Sequence, residues 1–132
     1  MAHLVTFATD KFDISSEEPN EFNPIAGQAL LRWLGAQLVS AGFKTTEPEA
    51  EDWGWYINVE GSMGTYLVGA SGESERPDAD VEWTVQIHKS GSLKDKLTGK
   101  NKMAADDPLA ALVERLLRSA PDFRNIQVDK DS

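Results

Sequence analysis

Hydrophobic and polar residues alternate along two stretches of the chain, residues 53–60 and 81–88. An alternation with a period of two is typical of a β-strand that buries one of its faces. Residues 65–71 lie between these stretches and are apolar on both sides, which predicts a central strand. A short apolar run at residues 3–8 predicts a further strand, and residues 124–129, with Ile126 and Val128 on one face, predict a last one.

Two other stretches, one from Asn23 to Gly42 and one that starts at Asp107, repeat their apolar residues at helical spacing. In the first, Asn23 is a favourable N-cap, Pro24 suits the first helical position, and Gly42 suits the C-terminal end. In the second, Asp107 and Pro108 predict the start of the helix in the same way. Each helix carries an apolar stripe, so we expect both helices to pack on a sheet.

The elements follow one another in the order β-α-β-β-β-α-β, with an additional short strand as an option at residues 43–46. Consecutive strands joined by short turns favour antiparallel pairing, and two amphipathic helices favour coverage of one sheet face. The sequence therefore predicts a single α+β domain over residues 1–132. Its expected architecture is a two-layer sandwich, with an antiparallel sheet of about four to six strands and two helices on one face.

The stretch EDWGW, residues 51–55, contains two of the four Trp residues. The alternation places Trp53 and Trp55 on the same side as the aliphatic residues of the strand. This predicts that both rings, like Trp83, lie in the core under the helices. Glu51 and Asp52 then precede the strand and accept hydrogen bonds at its start. A second interpretation stays open, in which this stretch forms a small-molecule pocket that uses Trp53 and Trp55.

Acidic residues outnumber basic ones, and the formal net charge is −9. Because phosphate neutralisation by Lys and Arg dominates affinity for nucleic acid, this charge opposes nucleic-acid binding. The excess is concentrated between residues 43 and 82, which contain ten acidic and two basic residues, whereas residues 88–102 are basic. This segregation fits either solvated loops or an acidic surface that meets a basic partner.

The chain contains no Cys, and its two His residues are His3 and His88. Disulfides, thiolate catalysis and zinc sites with thiolate ligands are therefore excluded. The sequence contains no calcium loop, no phosphate-binding loop and no nucleophile elbow. We therefore expect no metal and no cofactor, and we favour a non-enzymatic function. The sequence also lacks a secretion signal and a run of about 20 apolar residues, which predicts a cytoplasmic protein with no membrane partner.

The segments NPIAGQALLRWLGAQLVSAGF and EPEAEDWGWYINVEG, with Trp83 and the later DDPLAALVERLL helix, form a recognisable combination. In this combination the chain resembles a group of small bacterial proteins of uncharacterised function, in which an Asn-Pro helix precedes an EDWGW stretch. The resemblance covers about residues 5 to 128. It implies a bacterial cytoplasmic setting, and it supplies no catalytic residue.

Two classes of function follow from these observations. The first is a non-enzymatic protein-binding module, such as an immunity or adaptor protein that covers a basic partner. The second is a small-molecule binder or an enzyme with a pocket near residues 51–55. Self-association through an edge strand is a third option, and the oligomeric state stays open. The acidic residues expected to contact a basic partner are Glu51, Asp52, Glu73, Glu75, Asp78 and Asp80. The next candidates, on the outer face of the sheet, are Tyr56, Asn58, Gln86 and His88.

Overall fold

The structure is a computed structural model that describes residues 2–9, 12, 25–61, 64–73, 81–90, 108–120 and 123–129. These residues form seven strands and two helices in the order β-α-β-β-β-β-β-α-β. The strands are β1 (Ala2–Thr9), β2 (Lys44–Thr45), β3 (Glu49–Glu51), β4 (Gly54–Gly61), β5 (Gly64–Glu73), β6 (Val81–Ser90) and β7 (Arg124–Asp129). The helices are α1 (Gln28–Ser40) and α2 (Pro108–Ser119).

All paired strands are antiparallel and belong to one sheet. The order across the sheet is β2-β4-β5-β6-β1-β7, and β3 also pairs with β4. The α+β class and the antiparallel sheet are confirmed, as is the optional strand near residues 43–46, now β2. The predicted count of four to six strands was wrong, because residues 49–51 form a strand of their own.

The hydrophobic core lies between one face of the sheet and both helices. It combines every second residue of β4, β5, β6 and β1 with the apolar stripe of each helix. Trp55 and Trp83 are buried in it, as the alternation predicts. Burial of one large apolar side chain contributes about 1.5–3 kcal/mol, so this layer is the main source of stability. The fully buried helix residues are Leu30, Leu31, Leu34 and Leu38 of α1, and Leu109, Val113 and Leu117 of α2.

Helix α1 starts later than predicted, because the residues before it bond to the sheet. The predicted N-cap, Asn23, lies outside the described residues. Ala26 forms an antiparallel bridge with Gly72, whose N–H donates to the Ala26 carbonyl at 2.9 Å. The Ile25 carbonyl accepts a hydrogen bond from Trp55 Nε1 at 3.1 Å. These bonds take the place of a first helical turn, so the prediction that the helix begins directly after Asn23 was wrong.

The C-terminal end of α1 agrees with the sequence prediction. Gly42 follows the helix with φ of 100°, a conformation that favours glycine. The Gly42 N–H donates to the Val39 carbonyl, and the Phe43 N–H donates to the Leu38 carbonyl, both at 3.0 Å. This pair of bonds is a Schellman motif, which satisfies the last helical carbonyls and directs the chain into β2.

Candidate functional site

Both described helices pack on one face of the sheet, so the opposite face, called the outer face below, carries neither of them. Strand pairing arranges the residues of the outer face in rows. One row contains Tyr56, Gly69, Gln86 and Leu4. The next row contains Ser71, Thr84, Thr6 and Gln127. The predicted outer-face positions of Tyr56, Asn58, Gln86 and His88 are confirmed by this register.

The EDWGW stretch forms a hairpin and not a single strand. Glu51 at the end of β3 pairs with Gly54 at the start of β4, and Asp52 and Trp53 form the two-residue turn between them. Strand alternation therefore starts only at Gly54. The prediction that Trp53 lies on the same buried side as Trp55 was wrong, because the turn interrupts the period of two.

Trp53 lies on the outer face, and its indole covers the main chain of Gly69. A Cβ added to Gly69 would lie 2.5 Å from Trp53 Cη2 and 3.1 Å from Gln86 Cγ, so the contact depends on glycine. The Trp53 ring centroid lies 6.4 Å from that of Tyr56. Both rings are half-buried. The hairpin therefore places two neighbouring aromatic rings on the surface of the sheet.

Carboxylates accompany these two rings. The Tyr56 hydroxyl donates a hydrogen bond of 2.6 Å to Glu49 Oε2. This bond raises the pKa of Tyr56 above its ordinary value of 10.0, and burial and the charges of Glu49 and Glu51 raise it further. The phenol therefore stays neutral and keeps its hydrogen bond at physiological pH. Glu49, Glu51, Asp52, Trp53 and Tyr56 are called the hairpin patch below.

The two His residues lie on opposite faces of the sheet. On the outer face, His88 Nε2–H donates to Gln86 Oε1 at 2.8 Å. Burial lowers the pKa of His88 from 6.5, and the charge of the N-terminus lowers it further, so the ring is neutral at pH 7. His3 pairs with Ile87 and is buried on the core face. The register therefore prevents the two rings from sharing a metal ion.

The acidic residues proposed from the sequence divide into two groups. Glu51 is half-buried and Asp52 is exposed, and both belong to the hairpin patch beside Trp53. Glu73 is the last residue of β5. Glu75, Asp78 and Asp80 lie outside the described residues. The structure thus brings the first two acids next to an aromatic surface.

Trp53 and Trp55, proposed for a small-molecule pocket, lie on opposite faces of the sheet and do not line a common cavity. Two concave regions of the described surface lie away from both rings. One of about 500 Å³ lies beside α2, and one of about 400 Å³ lies on the outer face between β6, β1 and β7. Within the described ranges, no group of three or more His, Asp or Glu side chains is placed to hold a metal ion.

Sequence reasoning did not identify Glu49 and Gly69 as parts of this surface, although each left a signal. In the segment from Glu49 to Gly54, Asp52 lies in the turn and Gly54 follows it, and both residue types are favoured in and next to β-turns. Gly69 interrupts a run of larger residues in a strand, and such a glycine often marks a close approach of another group.

Comparison of the chain with protein-family models, with curated proteins and with solved structures finds no match. In the part of the chain that the structure describes, neither helix is long and apolar enough to cross a membrane.

Proposed function

We propose that the chain is a non-enzymatic protein-binding module that covers a basic partner with the outer face of its sheet. The observation that carries this proposal is the position of Trp53, half-buried across Gly69 on a face that neither described helix covers. In protein interfaces, Trp, Tyr and Arg supply a large share of the binding energy. A Trp ring with a neighbouring Tyr, on a sheet face that neither described helix covers, fits this role better than a role in the core.

The charges around the two rings favour a basic partner. Besides the carboxylates of the hairpin patch, Glu60 and Glu82 are exposed on the same face. Lys and Arg side chains are attracted to the faces of Trp and Tyr rings, and nearby carboxylates strengthen that attraction. His88 is neutral at pH 7 and adds no opposing charge. The outer face therefore combines aromatic area with negative potential.

Within this class, the proposal is an immunity or adaptor protein, which the acidic charge favours. The resemblance described above implies a bacterial cytoplasmic setting. Proteins of this kind block or recruit a partner by covering part of its surface. A net charge of −9 would accelerate the encounter with a basic protein. The proposed contact extends to Glu73 at the end of β5 and to the acidic residues that follow it in the sequence before β6, which are Glu75, Asp78 and Asp80.

The first test compares partner capture by three forms of the chain. Wild-type protein, Trp53→Ala and Trp33→Ala are used as baits in a bacterial lysate, and the captured proteins are identified by mass spectrometry. Trp33 is a matched control, because it is also half-buried but packs on the helix side against Phe12 and Phe123. We expect a basic protein that binds wild type and Trp33→Ala but is lost with Trp53→Ala. Equal capture by all three forms would show that Trp53 is not part of the interface.

The second test locates the acidic contact by kinetics. One variant neutralises Glu49, Glu51 and Asp52 by amide substitution. The other neutralises Glu73, Glu75, Asp78 and Asp80 in the same way. Since complementary charge acts mainly on the association rate, the variant that removes true contacts should slow association and flatten its dependence on salt. If neither variant changes the rate at low salt, the partner does not use the acidic surface.

A further inference from the structure

The outer face carries a cleft of about 400 Å³ between β6, β1 and β7. A β-bulge shapes it. Thr6 pairs with Gln127 and Ala8 pairs with Arg124, so two residues of β7 lie opposite Phe7 alone. One of these two, Asn125, has φ of 57°. Bulges of this kind bend a strand and redirect side chains, and they are frequent next to binding sites. The residues that line the cleft are Thr6, Phe7, Ala8, Glu82, Trp83, Thr84, Asn125 and Gln127.

The polar side chains of the cleft share one chemical property, which is that each can accept a hydrogen bond. Thr6 and Thr84 offer hydroxyl oxygens, and Asn125 and Gln127 offer amide oxygens. Glu82 is the charged residue of the lining, and its side chain is exposed. The side chains of Phe7 and Trp83 are buried in the core, so these residues contribute main chain.

A cleft with several acceptors and one negative charge fits a cationic group with many donors. The guanidinium of arginine carries five N–H donors in a planar fork and stays charged at all physiological pH values. Lysine offers three donors at a single point and fits a spread set of acceptors less well. Arg124 pairs with Ala8 at the side of the cleft but does not line it.

We infer that this cleft receives an arginine side chain of the basic partner. The inference rests on the proposed function, because it assigns a second contact on the same outer face as the hairpin patch. The cleft lies close to the hairpin patch. Along the strands, Thr84 of the cleft is one row from Gln86, and across the sheet the centre of the cleft is about three strands, or roughly 15 Å, from β4. A standard interface of about 800 Å² per partner spans both places.

The cleft can be tested without the partner, by NMR titration of the ¹⁵N-labelled protein with N-acetyl-arginine amide. We expect saturable shifts at the amides of Thr6, Thr84 and Gln127, and weaker ones with N-acetyl-lysine amide. Because Glu82 is exposed and solvent screens its charge, Glu82→Gln should weaken arginine binding by about two- to fivefold. Glu60→Gln is the matched control, since Glu60 is exposed on the same face but outside the cleft, and it should change nothing.

Three results would overturn the inference. The first is the absence of saturable shifts at the cleft. The second is equal binding of glucose, which would show a site for neutral polyols. The third is unchanged arginine binding in Glu82→Gln. The effect of Trp53→Ala on partner capture is measured separately, so a failure of arginine to bind the cleft would not contradict the proposed function. Conversely, if arginine binds the cleft but Trp53→Ala does not change partner capture, the cleft is an arginine site and the proposed interface around Trp53 is contradicted.

Discussion

Trp53 and Gly69 contact each other across the outer face, and a Cβ at residue 69 would lie 2.5 Å from Trp53 Cη2. Real side chains do not reach this distance, so the indole occupies the space that any other residue at position 69 would need. The shape of the proposed binding surface is therefore set jointly by a turn residue and by a central strand of the sheet.

The first prediction concerns this contact. Gly69→Ala should displace the Trp53 ring and destabilise the protein by about 1–3 kcal/mol, as overpacking does. In a Trp53→Ala background the same substitution should cost much less, because the ring is gone. Urea unfolding of wild type, the two single variants and the double variant gives the coupling free energy between residues 53 and 69. Equal costs in both backgrounds would mean that the ring does not lie over residue 69.

The second prediction contrasts two glycines at the same helix. Gly42→Ala should destabilise by about 1–2 kcal/mol, because φ of 100° is unfavourable for a residue with a Cβ. Gly35→Ala should stabilise by about 0.5–1 kcal/mol, since glycine is unfavourable inside a helix. A Cβ there would lie 3.7 Å from Thr45 Oγ1, which is ordinary contact. Thermal unfolding checks both signs, and a loss of stability in Gly35→Ala would contradict the packing described for α1 and β2.

The third prediction separates the two buried Trp residues. Either one changed to Ala should cost about 3–5 kcal/mol through the cavity it leaves. Changed to Phe, they should differ, because Trp55 Nε1 donates to the Ile25 carbonyl whereas Trp83 Nε1 has no hydrogen-bond partner in the described structure. Trp55→Phe should therefore cost about 1–3 kcal/mol more than Trp83→Phe in chemical unfolding. Equal costs would show that the Ile25 bond contributes nothing.

The fourth prediction concerns alkaline pH. The pKa of Tyr56 is raised in the folded protein, first by its hydrogen bond to Glu49. Because this pKa is raised, the Tyr56 phenol loses its proton at a lower pH in the unfolded chain than in the folded protein. The contribution of Tyr56 to the free energy of unfolding is therefore complete below pH 10 and is lost as the pH rises through the folded pKa. Wild type should therefore lose more stability than Tyr56→Phe above pH 10. In addition, Glu49→Gln should lower the midpoint at which Tyr56 titrates, as followed by ultraviolet absorbance. An unchanged midpoint would contradict the hydrogen bond.

Much of the fold was accessible from the sequence, because strand and helix periods report directly on burial. The long strands β4 to β6 alternate or are apolar on both sides, and Gly42 and Pro108 mark helix ends where the structure has them. The helix start after Asn23 was not accessible. Residues near Ala26 bond to a strand that lies far away in sequence, and no local pattern reports such a partner.

The candidate site was only partly accessible. Glu51, Asp52 and Trp53 stood out by composition, but the side of the sheet on which Trp53 lies depends on whether residue 53 belongs to a strand or to a turn. Residue 53 belongs to the turn, so the alternation that places Trp55 and Ile57 correctly does not extend back to it. The approach of Trp53 to Gly69 depends on the pairing of β4 with β5, which a single sequence does not specify.

The position of β1 between β6 and β7 has a consequence for synthesis on the ribosome. Val5 pairs with Val85 on one side and with Val128 on the other, so β1 is made before both of the strands with which it pairs in the described structure. The hairpins β4–β5 and β5–β6 join consecutive strands and can form while the chain is still growing. Since pairings between distant segments form slowly, we expect the β1 pairings to form after the β4–β5 and β5–β6 hairpins.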